Sequence, residues 1–471
     1  MRRAVINHKV TLRAACGVIA LILLPGAVAG QQVLDNYIRE GLESNLTVKR
    51  KSLALQKSTA ASQEARGYFL PNISINARYS VARGGRTFEF PAGDLLNPLL
   101  SNMNALNSAM SGLNPLYPTV PDYPDIDNIS FRFLRPNEHE TKIGLTQPIY
   151  NRTLSLNYRI KQEEENIGAA TLELTRRQVA REITDSYYSY LQAIEMVKVT
   201  DEMVKLAKEN LRVATSLFNN DIIKRDVLYS AEAALARAEM KSAEAAGNRR
   251  SAAALFNHIL NRPAGEPIIA DTIISLSLPE GFSDNVIANS VAQRTEKEIV
   301  DIWLQINALH TTLLQSERLP VVGAAIDYGY QGEKYRINSD HDFAIATIAL
   351  RWNLFAGGTI TRKAQQAIIE REMLEVRREE LIREIELEVT TSWNNLLTAW
   401  ETVQAATTAL QPAESAHSIT SARFREGKAS YNDLLQAETA FFSARRELVV
   451  KEFNYLRKKA EYRYVTGELL K

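Results

Sequence analysis

Twice along this 471-residue chain an apolar, strand-like segment runs directly into a very long helical pattern, and that junction restricts the folds open to it. The later copy is the easier to read. Residues 344–357, AIATIALRWNLFAG, form an apolar segment of about the length that crosses a bilayer obliquely. After Gly357-Gly358 no Pro or Gly interrupts the pattern before Pro412. Apolar residues recur there at Ile382, Ile385, Val389, Trp393, Leu396, Trp400 and Val403, with the gaps of three or four that mark a coiled-coil-like seam. At about 1.5 Å per residue, a helix from Thr359 to Phe424 would reach on the order of 100 Å.

The earlier copy reads Ile143-Gly144-Leu145-Thr146-Gln147-Pro148-Ile149-Tyr150 and leads into a helical pattern from Leu154 to Leu217. Leu145 corresponds to Leu350 and Tyr150 to Phe355, 205 residues apart, while Leu70-Pro71 corresponds to Leu319-Pro320, 249 apart. The first copy therefore holds 44 more residues between its strands than the second. Downstream, Asp226-Val227-Leu228 corresponds to Asp433-Leu434-Leu435, 207 apart. One unit is written twice, and this overrides the several-domain expectation that length alone would give. The expected organisation is a signal segment (1–29), a first repeat (30–265) of helix, two strands, long helix and shorter helix, a connector (266–283), and a second repeat of the same plan (284–471).

The amino terminus reads as an export signal. Arg2, Arg3, Lys9 and Arg13 precede the apolar run Gly17–Leu24, and Ala27-Val28-Ala29 is a small-residue cleavage site. The only cysteine, Cys16, falls inside this segment, so the mature chain crosses an oxidising compartment without disulfides. No later run of 18 apolar residues exists, which leaves a β-barrel as the way such a chain can span a membrane. A net charge of +1 implies no polyanionic partner, nucleic acid included.

The strands carry the membrane argument. In Asn72–Arg83, Ile73, Ile75, Ala77, Tyr79 and Val81 share one face, and Asn72, Ser74, Asn76, Arg78 and Ser80 share the other. That fits a strand between lipid and an aqueous lumen. Glu140–Tyr150 reads as the second strand and Leu319–Gln331 as the third, with Val322, Ala324, Ile326, Tyr328 and Tyr330 on a face opposite Asp327 and Gln331. His341–Phe355 reads as the fourth, with Ile348, Leu350, Trp352 and Leu354 facing out. Phe343 and Ile345 have the other parity, which suggests a bulge. Four strands cannot close a barrel, and an open sheet in lipid leaves two rows of unpaired backbone groups. Other copies of the chain must supply the missing strands.

Helical patterns over Gln31–Gly67, Asp226–Leu260, Asp284–Arg318 and Asp433–Tyr464 complete the plan. The long loop at 84–139 is Pro-rich and extended, with a short helix expected over Leu95–Leu113.

At this point the residues resemble a known family, the TolC-like outer-membrane efflux proteins, over essentially the whole mature length. The resemblance rests on Ala65-Arg66…Leu70-Pro71-Asn72-Ile73 before the first strand and Leu145-Thr146-Gln147-Pro148-Ile149-Tyr150 closing the second. It rests also on two helix-turn-helix tips, Phe218…Arg225-Asp226-Val227-Leu228 and Phe424-Arg425-Glu426-Gly427…Asp433-Leu434-Leu435. It implies a mixed, predominantly α-helical membrane protein: a homotrimer with a twelve-stranded transmembrane β-barrel and a long periplasmic helical barrel of coiled coils. It further implies an outer-membrane location, a periplasmic adaptor protein and an inner-membrane transporter as partners, and a periplasmic tip that opens in their complex. Against the family's aromatic-x-x-Gly turn, the first tip has Asp221 and is one residue shorter. Where a second tip acid is frequent, this chain has Gln436.

The candidate site is that tip. Asp226 and Asp433 each open a helix after a turn, where a carboxylate caps backbone N–H groups. In a trimer they would also form carboxylate rings around a narrow pore. Lys224, Arg225, Arg423, Arg425 and Lys428 surround them as a basic rim or as bridges to the acids. Glu138-His139-Glu140 and Asp340-His341-Asp342 precede the second strand of each repeat and read as solvated loop ends rather than metal ligands. No nucleophile–base pair, phosphate loop, zinc-protease helix or glycine fingerprint is present, so neither enzyme chemistry nor a cofactor is expected. The reading is an exit duct for small molecules or protein, set in outer-membrane lipid. The alternative is a periplasmic coiled-coil adaptor or scaffold whose strands form a soluble sheet.

Overall fold

The duplication reappears in the order of elements. This computed structural model describes residues 26–114, 116, 118, 120–270, 276–278 and 281–468, so residues 1–25 of the expected signal, with Cys16, lie outside them. The first half runs α1 (Gly26–Ser44), α2 (Leu46–Gly67), β1 (Asn72–Val81), β2 (Thr87–Phe90), α3 (Ala92–Leu113), β3 (Ile129–Arg132), β4 (Asn137–Tyr150), α4 (Arg152–Asn219) and α5 (Arg225–Ile259). The second half runs α6 (Asp284–Gln293), α7 (Thr295–Ser316), β5 (Val321–Gly332), β6 (Asp342–Arg351), α8 (Thr359–Arg425) and α9 (Tyr431–Val465). With β2, α3 and β3 set aside, the halves match element for element. The long helices α4 and α8 have 68 and 67 residues, and α5 and α9 have 35 each.

Two expected helices prove to be pairs. Gln31–Gly67 breaks at Asn45, whose side-chain Oδ1 accepts from the backbone N–H of Thr47 (2.8 Å) and Val48 (3.3 Å) and so starts α2. Asp284–Arg318 breaks at Arg294, which is extended at φ −74°, ψ 123°. Its buried guanidinium donates to Glu296 (3.0 and 2.9 Å), to Glu388 on α8 (2.9 Å) and to the Val465 carbonyl closing α9 (3.2 Å). The 84–139 loop contains its expected helix and also an unanticipated two-stranded antiparallel ribbon, β2 with β3 across α3, in which Phe88 pairs with Phe131 and Phe90 with Ile129.

The chain divides into two compact units. The unit of Ala60–Gln162 and Ile306–Glu370 is built on an antiparallel sheet of order β1-β4-β5-β6, with β1 and β6 at its edges. Paired residues share a face. One face therefore runs Ile73, Leu145, Ile326, Ala346 across the sheet, then Ile75, Ile143, Tyr328, Ala344 one pair further along. Ile73, Ile75, Ile143, Ile326 and Ile348 of this face are all exposed. The other face carries an ion-pair ladder: Arg78–Glu140 (3.1 Å), Glu140–Lys142 (3.5 Å) and Lys142–Asp327 (3.0 Å). The suggested bulge in the fourth strand is absent, because β5 and β6 pair without interruption from Val321↔Arg351 to Tyr330↔Asp342. Phe343 and Ile345 thus stay on the charged face. The irregularity lies instead in β4 between Pro148 and Tyr150, where proline has no N–H to give to the ladder. The fourth strand also ends at Arg351, short of Phe355.

The other unit, the described parts of Met1–Thr59 with Glu163–Gln305 and Arg371–Lys471, is helical. Its largest core gathers Tyr37, Ile183, Tyr187, Phe256, Phe453 and Tyr455 with the middle of the α8 seam, Leu396 and Val403. Ile385 and Val389 of the same seam pack instead with Tyr464 and Val465 at the end of α9. The predicted seam is the buried face of α8.

Candidate functional site

Two helix-turn-helix ends, α4–α5 and α8–α9, pack against each other within one chain. Ala214, Ala231, Phe424, Tyr431 and Leu434, one or two from each of the four helices, form a small buried cluster, backed by Ile223 and Val227. Both turns close in the same way. The N–H of Asp221 donates to the Phe218 carbonyl (3.0 Å) and that of Ile222 to Leu217 (2.9 Å). In the second turn Gly427 donates to Phe424 (2.9 Å) and Lys428 to Arg423 (2.8 Å). Each turn needs one residue in the left-handed region, supplied by Asp221 at φ 58° and Gly427 at φ 69°. Aspartate tolerates that region better than most side chains, which explains how the first turn manages without glycine.

This geometry corrects the alignment of the two acids. From left-handed residue to first helical residue each turn takes the same step, Asp221 to Arg225 and Gly427 to Tyr431. The turns are equal in length, and Asp226 corresponds to Asn432 rather than to Asp433. The carboxylates consequently do different work. Asp433 occupies the third position of α9 and closes a capping box. The Ser430 hydroxyl (2.7 Å) and backbone N–H (3.1 Å) donate to its Oδ2, while its own N–H donates to Ser430 Oγ (3.1 Å). The Ser430 hydroxyl, then the Ser430 N–H, then the charge of Arg423 hold its carboxyl below the usual carboxylate range. Asp226 has no such partner, because Lys224 stands at its helix cap and makes no side-chain cap bond. Asp226 is exposed at the helix start.

The basic residues divide likewise. Lys428 pairs with Glu426 (2.8 Å) and Arg225 lies over the Phe218 ring (5.8 Å). Arg423 bears on Asp433, and Arg425 on Glu209. Glu209 is held below the usual range chiefly by its bond to Arg212. Gln436 is exposed on α9.

Two clusters were not anticipated. Near the turns, Glu438 accepts from Asn210 and lies 3.8 Å from His417 Nε2, with His417 stacked on Phe441. Beside them burial pushes the Tyr431 hydroxyl up to about 12, with Glu438 adding to the rise. In the sheet unit, His139 is not a solvated loop end: it is buried, its Nε2 lies 2.8 Å from the Lys334 carbonyl, and its ring packs on Tyr335. Among the described residues no three His, Cys, Asp or Glu gather as metal ligands. The Arg78–Glu140–Lys142–Asp327 ladder was half legible, since Arg78 and Asp327 lay on the predicted polar faces. Its continuity required the register.

A duplicated pair of strands runs into helices of nearly 70 residues, and the four-stranded sheet they build leaves β1 and β6 as edges. Residues 310–468 match the family model described as Outer membrane efflux protein. Solved structures extend the likeness over nearly the whole chain. The Campylobacter jejuni CmeC outer membrane channel is 14% identical with TM-score 0.73, over 93% of this chain and 86% of that one. The open state of the Neisseria gonorrhoeae MtrE outer membrane channel is 16% identical with TM-score 0.72, over 93% and 90%. The outer membrane protein VceC from Vibrio cholerae is 13% identical with TM-score 0.71, over 93% and 98%. No curated protein sequence matches the chain. Residues 310–468 are thus similar to that family, and the chain as a whole has the fold of these solved structures.

Proposed function

We propose that the protein is an outer-membrane channel that acts as the exit duct of a tripartite efflux or secretion system. Residues 1–29 direct export. Three copies close a twelve-stranded barrel in outer-membrane lipid, and the helical part stands in the periplasm. There it meets an adaptor protein and an inner-membrane transporter that supplies the energy. The observation that carries this reading is the sheet. One face is apolar and exposed, the other bears the ladder from Arg78 to Asp327, and both edges are open. Lipid outside, water inside and further copies at the edges satisfy all three features at once.

In that trimer Asp226 and Asp433 recur three times each at the helical turns. Asp226, with no capping duty, is the acid free to act on passing ions. Asp226→Asn is expected to weaken cation preference in single-channel recordings while leaving the turn intact. Asp433→Asn, which retains a good capping side chain, should change selectivity less. Equal selectivity in both variants and the parent would remove the charge role from the turns.

A further inference from the structure

The 84–139 loop holds a surface that a single copy leaves uncovered. Helix α3 is tethered along one side. Asn97 donates to the Ile126 carbonyl (3.0 Å) and accepts from the Ile126 N–H (2.8 Å). Two turns later Asn104 does the same with Tyr123, at 2.9 Å in both directions. Asp94 and Asn128 add a third reciprocal pair (3.2 and 3.1 Å). These amide clamps fix the helix on the returning chain. The opposite side of α3 carries Leu95, Leu99, Met103, Leu106, Met110 and Leu113, all exposed. At 3.6 residues per turn these six fall in one stripe facing away from the clamps.

The composition of the stripe points to its occupant. Gaps of four, four, three, four and three residues are those of a helix-packing seam. A helix that lies in a lipid interface carries Lys or Arg on its polar face and aromatic anchors on the other. Helix α3 has no basic residue and no aromatic one, and Asp94 is its only charge. Its topology adds a second argument, because the loop leaves β1, a sheet edge, which in the proposed trimer pairs with another copy. Each loop therefore rises beside a neighbouring chain. The same loop presents an exposed apolar face of the β2–β3 ribbon, Phe88, Phe90, Ile129 and Phe131, to whatever approaches it.

We propose that the α3 stripe is an interface between copies of this chain, packing against the 84–139 loop of the neighbouring copy at the outer end of the barrel. This rests on the trimeric channel reading. Head-to-tail contacts of this kind close into a ring when the symmetry is cyclic.

The test places a benzophenone amino acid at Leu106 in the full-length protein, irradiated in native outer membranes. Mass spectrometry maps the adducts, and light scattering in detergent measures the oligomer. The expected result is a covalent chain-to-chain adduct that maps to residues 84–139 of a second copy, with yield lost severalfold when Leu99→Ser is added. Intact trimers that give lipid or lipopolysaccharide adducts, or no chain-to-chain adduct, overturn the interface and leave the channel reading standing. Monomers alone overturn both.

Discussion

Leu434→Ala tests whether the paired turns form a separately stabilised end of the helical unit. Leu434 is fully buried in the five-residue cluster of Ala214, Ala231, Phe424, Tyr431 and Leu434. Truncating a buried leucine costs about 2–5 kcal/mol, the larger values arising where the surroundings cannot collapse. Two of the four buried neighbours are alanines, too short to reach into the void, so the upper half of that range is expected. The cluster is separate from the main core around Tyr187 and Phe256, so the loss should be local. At tenfold per 1.4 kcal/mol, amide exchange in 211–217 and 424–434 should quicken about 300-fold to a few thousand-fold. Amides around Ile183 should keep their protection. Native-state hydrogen exchange in detergent reads both regions, and Leu434→Met, which conserves volume, should cost less than about 1.5 kcal/mol. Uniform loss of protection along α4 and α8, or none at the turns, would refute the independence of this end.

Two further perturbations address the turns and the sheet. Ser430 and Arg423 hold the Asp433 carboxyl below its ordinary range, so the stabilisation it gives is complete above about pH 3.9 and is lost as pH falls through its lowered value. Protection of the first turn of α9, corrected for intrinsic exchange, should fall in that acid window in the parent and stay flat in Asp433→Asn; an identical pH profile would exclude the capping box as its cause. In the sheet, a Cβ at Gly329 would stand 2.3 Å from the Thr141 carbonyl oxygen and 2.6 Å from the Lys142 Cα. Gly329→Val should therefore separate β4 from β5 and abolish heat-modifiable oligomers on gels, and assembly at parental yield would contradict that close approach.

The sequence made the architecture legible wherever a periodic pattern was long or occurred twice. The α8 seam is buried at Ile385, Val389, Leu396 and Val403, as its spacing demands. The alternation of β1 survives intact on the two faces of the sheet. What escaped depends on contacts between distant residues. No Pro or Gly stands around Gln293-Arg294-Thr295; the break falls where Arg294 reaches Glu388 and Val465, contacts between residues far apart in the chain. The pairing of Asp226 with Asp433 failed because a three-residue match can slide by one position, whereas the left-handed residues Asp221 and Gly427 anchor the true correspondence. His139 sits between two acids in the sequence, yet Tyr335 and the Lys334 carbonyl, far along the chain, bury it.

The central claim is that β1 of one copy pairs with β6 of the next. Single cysteines at Ile73, Ile75 or Ala77 combined with one at Ala344, Ala346 or Ile348, in a Cys16→Ser chain, measure it by disulfide formation in outer membranes. Within one chain β4 and β5 separate these strands, so the account predicts bonds only between chains, confined to one register and yielding a covalent trimer. Recovery of a water-soluble monomer, or interchain bonds absent at every pairing, would contradict it.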